Sequence, residues 1–157
     1  MTVRARSWWR ARSFADDLIR RRTVRDFADR PVPRDIIEAA MARRVVDLIS
    51  LARKAGYAVA GFEKVKGWLA DGKARVLFQA SDGSDRGKGK LWTPTGGRWF
   101  GCLTSNELGQ AFGRDYVIHA ALAAGGLSAR VVEEAAKLNG LRKVDGGASA
   151  GKETKSA

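Results

Sequence analysis

Cysteine and histidine each occur once in this 157-residue chain, as Cys102 and His119, and proline only three times. A lone cysteine excludes an intrachain disulfide and a cysteine-based metal cluster, which fits a reducing compartment. Inside the apolar run RWFGCLTS it reads as a small buried hydrophobe. His119 lies in another apolar run with no serine, cysteine or carboxylate cluster beside it, so a packed or edge-facing imidazole is expected, not a general base or a metal ligand. Paired catalytic carboxylates are also wanting, since Asp82 and Asp85 stand in a Gly/Ser/Lys loop that reads as solvated. No apolar stretch approaches the roughly 20 residues of a membrane span. The N-terminus lacks the apolar core of a secretory signal, being broken by Asp16, Asp17 and the arginines at 20 to 22. The expectation is a soluble, cytoplasmic chain with no membrane association, metal site, cofactor or catalytic centre.

Acidic residues are scarce. Seventeen Asp and Glu face 29 Lys and Arg, giving a net charge of +12 and a pI near 10.6. Such a balance favours a polyanionic partner, nucleic acid or an anionic membrane surface. The excess is not confined to one end: residues 41 to 143 hold 17 basic and 9 acidic residues, and residues 1 to 40 hold 10 and 6. An apolar content of 45% marks a globular chain with one ordinary core.

Three segments differ in character. Residues 1–34 form an Arg-rich N-terminal extension, expected to be helical in part and closed off by Pro31 and Pro33. Residues 35–142 carry the periodic apolar pattern of a folded domain, and 143–157 read as a disordered tail of small and polar residues. Between Arg34 and Lys54 the apolar spacing predicts one helix or two abutting ones, ending at Gly56. Beyond it, YAVAG, ARVLFQAS, RWFGCLT and YVIHAALA read as strands. FEKVKGWLAD, SNELGQAFG and LSARVVEEAAKLNG read as helices, with Ser105 as an N-cap, and DGSDRGKGKLW has room for a poor helix. Strands alternating with helices place the chain in the α/β class, as a three-layer α/β/α sandwich with four strands. The tail offers a near phosphate-loop spacing, Gly146 to Gly151 and Lys152. Glu153 stands where a Ser or Thr should follow, and neither strand nor helix flanks it, so nucleotide hydrolysis is set aside.

Two resemblances bear on function. RRRTVRDFADRPVPRDIIEAA resembles the opening of the nitroreductase family of flavin enzymes, which implies Arg21, Thr23 and Arg25 as ligands of a flavin phosphate. It covers only about residues 14 to 40, and nothing later looks like the rest of that fold, so a fused or vestigial fragment is the expectation.

The larger resemblance spans residues 43 to 142. LISLARKAGYAVAGFEKVKGWLADGKARVLFQASD, followed by LTSNELGQAFGRDYVIHAALAAGGLSARVVEEAAKLNG, is similar to the ribosomal protein L-seven-Ae/L-thirty-e superfamily, in particular its bacterial YlxR-associated type. The signposts are Gly56 and Gly61, the Gly-Lys-Ala of 72 to 74, the Ala-Ser-Asp that ends a strand, and the Glu-Leu-Gly of 107 to 109. The resemblance implies a mixed sheet between helices and non-catalytic binding of structured RNA, such as ribosomal RNA. The RNA would be held by a helix entrance with Gly61, Phe62, Glu63, Lys64, Lys66 and Gly67, by Lys73, and by the loop with Arg114, Asp115, Tyr116 and Val117. Physical chemistry agrees with that assignment. Glycine lets a backbone approach closely, free N–H groups and lysines attract phosphate, and an exposed loop supplies apolar contact to an unstacked base. Members that read the G·A pairs of kink-turns carry Asn-Glu where this chain has Glu63 and Lys64, and a lysine where it has Gly67. Two alternatives stay open: a flavin-binding fragment, and a protein-interaction module that uses the helical faces.

Overall fold

The computed structural model describes residues 30–145. The arginine-rich segment with Arg21, Thr23 and Arg25, and the tail with its phosphate-loop-like spacing, lie outside the described residues. Residues 33–145 belong to one compact unit.

Helix α1 (Arg34–Lys54) is a single helix. Asp35 in its first turn and Arg53 and Lys54 in its last complement the macrodipole. Ala42, Val45, Val46, Ile49 and Ala52 give it one buried stripe. It ends as a Schellman turn: Gly56 takes φ 79, its N–H donates to Arg53 O (3.0 Å), and the Tyr57 N–H reaches back to Ala52 O (2.8 Å). The following elements are β1 (Ala58–Ala60), α2 (Phe62–Ala70), β2 (Ala74–Gln79), the single turn α3 (Asp85–Lys88), β3 (Arg98–Phe100), α4 (Ser105–Phe112), β4 (His119–Ala123) and α5 (Gly126–Asp145).

The four strands form one mixed sheet in the order β1-β4-β2-β3. β4 pairs antiparallel with both β1 and β2, while β3 runs parallel to β2. Side chains alternate between the two faces, as the strand period demands. Val76, Phe78, Ala120 and Leu122 face the larger core with α1, α4 and α5, where Val45, Ile49, Leu108, Val131 and Leu138 are fully buried and the Phe78 and Phe100 rings stack at 5.4 Å. Leu77 and Ala121 face the smaller core with Val65 and Leu69 of α2. Helices therefore cover both faces, and the expected α/β/α layering is what the chain adopts.

Several boundaries differ from expectation for local reasons. β4 starts at His119, because Val117 donates its N–H to Ser105 O (2.9 Å) and the chain before it is a loop. The N-cap of α4 is Thr104, not Ser105. Its hydroxyl accepts from the Glu107 N–H and the Glu107 carboxylate accepts from the Thr104 N–H, a complete capping box. α5 runs past Gly140 to Asp145, where Arg142 ties three elements together. The Arg142 guanidinium holds Glu38 of α1 (2.7 Å), both carboxylate oxygens of Glu107 of α4 (2.9 and 2.8 Å) and the Cys102 carbonyl. Cys102 is buried as expected, and burial pushes its thiol up to about 11. Among the described residues no helix is long and apolar enough to cross a membrane.

Candidate functional site

The sheet has one end where β1, β2 and β3 finish and β4 begins, and the chain gathers its unpaired chemistry there. Gly61 follows β1 with φ 103 and ψ 145, a conformation L side chains rarely adopt. Its N–H donates to His119 O (2.9 Å), and its carbonyl accepts the first helical bond, from the Val65 N–H (3.0 Å). No side chain caps α2. The N–H groups of Phe62, Glu63 and Lys64 thus have no place in the helical ladder, and the positive end of the helix is left open. The N-terminus of α4, at the same end of the sheet, is in contrast closed twice, by its capping box and by Asp82. The Asp82 carboxylate accepts from the Ser105 N–H and hydroxyl, both at 2.7 Å, and the hydroxyl bond holds that carboxyl below its ordinary range.

Two cavities flank the open helix end. The larger, about 420 Å³, lies between the α2 entrance (Gly61, Phe62), the loop after β2 (Asp82 to Ser84, with Gly87) and the loop before β4 (Arg114, Tyr116 to His119). Its size falls in the range of small-ligand sites. Tyr116 is 68% exposed at its rim, whereas Val117 is buried and anchors the loop. His119 is buried, its ring meets Phe62 edge-on at 5.8 Å, and its Nδ1 has no hydrogen-bond partner among the described residues. Burial, helped by the charge on Lys88, holds the imidazole below its ordinary pKa, so it is neutral at pH 7. The smaller cavity, about 260 Å³, is lined by three cations, Arg53, Lys64 and Arg114, with no carboxylate among them. Arg114 lines both cavities.

The structure sorts the residues singled out from sequence. Gly61, Phe62, Arg114, Tyr116 and Val117 line the larger cavity, and Lys64 lines the smaller one with Arg114. Glu63, Lys66 and Gly67 are exposed on α2, and Asp115 is exposed in its loop. Lys73 is not brought to them: it follows the C-terminal end of α2, its N–H bonded to Trp68 O (2.9 Å), just before the start of β2. Arg53, His119 and the 82–87 loop are contributions that sequence reasoning missed. In sequence Arg53 is one cation among many, and only the packing of α1 beside α4 places it at a cavity.

Glu-Leu-Gly at 107–109 also acquires a physical meaning here. Glu107 caps α4 and receives Arg142, Leu108 is fully buried, and Gly109 lies under the Arg114–Asp115 backbone, where a Cβ would come within 2.6 Å of the Arg114 oxygen. The motif builds the loop and lines neither cavity. Among the described residues no group of three or more His, Cys, Asp or Glu could hold a metal ion.

Fold and site together define an α/β/α sandwich with an electropositive, aromatic-rimmed cleft at one end of its sheet. Neither a family model nor a curated protein matches the chain. Solved structures do match. One is a protein of unknown function from Bacillus halodurans C, 21% identical with a TM-score of 0.53, covering 59% of this chain and 96% of that one. Another is the Giardia lamblia 15.5kD RNA binding protein, 20% identical with a TM-score of 0.51, covering 65% of this chain and 90% of its own. What is shared at these identities is the fold.

Proposed function

We propose that residues 35–142 form a non-catalytic domain that binds structured RNA, a bacterial, cytoplasmic member of the L-seven-Ae/L-thirty-e superfamily acting with ribosomes or another ribonucleoprotein. The observation that carries this reading is the uncapped N-terminus of α2 beside Arg53, Lys64 and Arg114. Free N–H groups and three cations suit phosphate oxygens. The adjoining cavity, with Phe62, Tyr116 and a neutral His119, suits the face and edge of an unstacked base. The fold shared with an RNA-binding protein supports the same reading.

Shape-selective binding is proposed over kink-turn readout. Glu63 offers only acceptors where an amide would both donate and accept, and Gly67 offers no side chain. Affinity for a kink-turn RNA and for its G·A-disrupted twin should therefore differ by less than about a hundredfold, roughly 2.7 kcal/mol.

The experiment is a salt titration of RNA binding by fluorescence anisotropy. Arg53→Ala, Lys64→Ala and Arg114→Ala should each weaken binding and make the log–log salt slope shallower by up to about one unit. Lys66→Ala, outside both cavities, should do less. Parental affinity and slope in all three cavity variants would remove this cleft as the seat.

A further inference from the structure

The connection between β2 and β3 takes no part in the cleft beyond Gly87, yet it is built rather than loose. Gln79, 4% exposed, uses both ends of its amide on it: Nε2 donates to the Lys88 carbonyl (3.0 Å), and Oε1 accepts from the Trp99 indole N–H (2.9 Å). One buried side chain thus fixes the outgoing and returning limbs. Leu91 is buried in the smaller core and Pro94 is buried too. Gly97 lies so close to the Arg75 carbonyl oxygen that a Cβ there would collide with it.

What this fixed segment presents to solvent is unusual. Trp92 is 48% exposed and Trp99 42% exposed, although burying an indole is among the larger gains open to a small domain. Around them residues 86–100 carry Arg86, Lys88, Lys90 and Arg98 and not one carboxylate. Cations interleaved with exposed aromatic rings match a single-stranded polynucleotide, whose phosphates take the charges while its unstacked bases lie on the rings. A duplex would offer the phosphates but no free base face.

We propose that the β2–β3 connection is a second RNA-binding surface, which takes a single-stranded segment flanking the structured element, with bases on Trp92 and Trp99 and phosphates on Lys90. The proposal extends the reading of the cleft as an RNA seat but uses different side chains, so the two can fail separately. Lys88 turns inward, its Nζ on Ser81 O (3.0 Å), and Gly87 lines the cleft, so the segment begins at the edge of the cleft.

The test uses the full chain and two labelled RNAs at one fixed salt concentration: a hairpin, and the same hairpin with a tail of about eight uridines, within the span such surfaces cover. The tail should tighten binding by about tenfold or more. Trp92→Ala and Lys90→Ala, both at exposed positions, should shrink that gain to about twofold or less without changing hairpin affinity, and Trp92→Phe should restore part of it. Lys64→Ala should weaken both RNAs alike. Hairpin binding with no gain from the tail, or a gain that survives in Trp92→Ala and Lys90→Ala, overturns the second surface. Tailed RNA bound while the hairpin alone is not overturns the cleft and supports the second surface; no binding of either RNA overturns both. Phosphatidylserine vesicles serve as the other arm. If they bind through Trp92 while the tail adds nothing, the surface is a membrane contact and the proposal fails.

Discussion

Gly109→Ala is the substitution that most directly couples packing to the cleft. The added methyl would sit 2.6 Å from the Arg114 oxygen, 2.8 Å from the Asp115 oxygen and 2.9 Å from the Asp115 carbonyl carbon, all backbone atoms that no rotamer change can move aside. Ordinary contact begins near 3.4 Å, so the loop must lift by several tenths of an ångström. That motion strains the turn in which the Arg114 N–H bonds to Gly109 O (2.9 Å) and Gly113 takes φ 64. Overpacking of this kind costs about 1–3 kcal/mol, offset by about 1 kcal/mol of helix propensity gained by alanine. The net loss of about 1 kcal/mol corresponds to a drop in Tm of roughly 3–6 °C for a domain of this size. Because Arg114 and Tyr116 ride on the same loop, hairpin RNA affinity should fall by about tenfold, equivalent to 1.4 kcal/mol. Gly67→Ala is the matched control, in the interior of α2 with nothing within 4 Å of its added methyl. It should raise stability by about 0.5–1 kcal/mol. Calorimetry and anisotropy on both variants decide the matter: a Gly109→Ala protein that melts at or above the parent and binds as well would refute the close-approach argument.

Two further perturbations address buried charge. Arg142→Met strands the carboxylates of Glu38 and Glu107, with the three side chains only 22–29% exposed, and should cost about 2–4 kcal/mol in urea unfolding at pH 7; a loss under about 0.5 kcal/mol would show the network to be ornamental. Burial alone would raise the Glu107 carboxyl, but hydrogen bonds from Arg142 and Thr104 hold it below 4.5. Its contribution is therefore complete above that pH and lost as the pH falls below it, and Glu107→Gln should flatten the acid limb of the stability curve. His119 acts at milder pH. Its folded pKa lies below 6.5 through burial and the nearby Lys88 charge, so the unfolded chain takes up the proton first and stability is lost as pH falls from about 6.5 through the folded value. Melting at pH 7.5 and 5.5 should show that loss in the parent and not in His119→Gln; equal losses in both would place the titrating group elsewhere.

Much of the fold was legible because it is written in local periodicity. The α1 and α2 helices and the alternation of strands and helices followed from apolar spacing, and with them the layers; within α1, Val45 and Ile49 are buried, but the equally apolar Ile36, Ile37 and Leu51 are exposed. What periodicity could not give was partnership. Thr104 and Glu107 carry a capping-box spacing that outweighs the serine between them, and Tyr116 to Ile118, apolar enough for a strand, are drawn off by the bond between Val117 and Ser105. The cleft was half legible. Its two chain segments follow from motif order, but Arg53 and His119 reach it only through tertiary packing, and Lys73, close in sequence to α2, lies at the other end of that helix.

The strand order has a consequence for how the chain reaches its fold. β1 and β2 are consecutive in sequence yet never pair; β4 lies between them, with Ala58 opposite Leu122 and Phe78 opposite Ala120. During synthesis the early strands must therefore wait, with their apolar faces uncovered, until residues 119–123 have emerged. Closing those loops is an entropic cost met before the contacts that reward it, which slows folding. A nascent chain stopped short of β4 would hold only the short parallel pair of β2 and β3. On this topology the sheet assembles in one late step, and chaperone dependence should peak just before it.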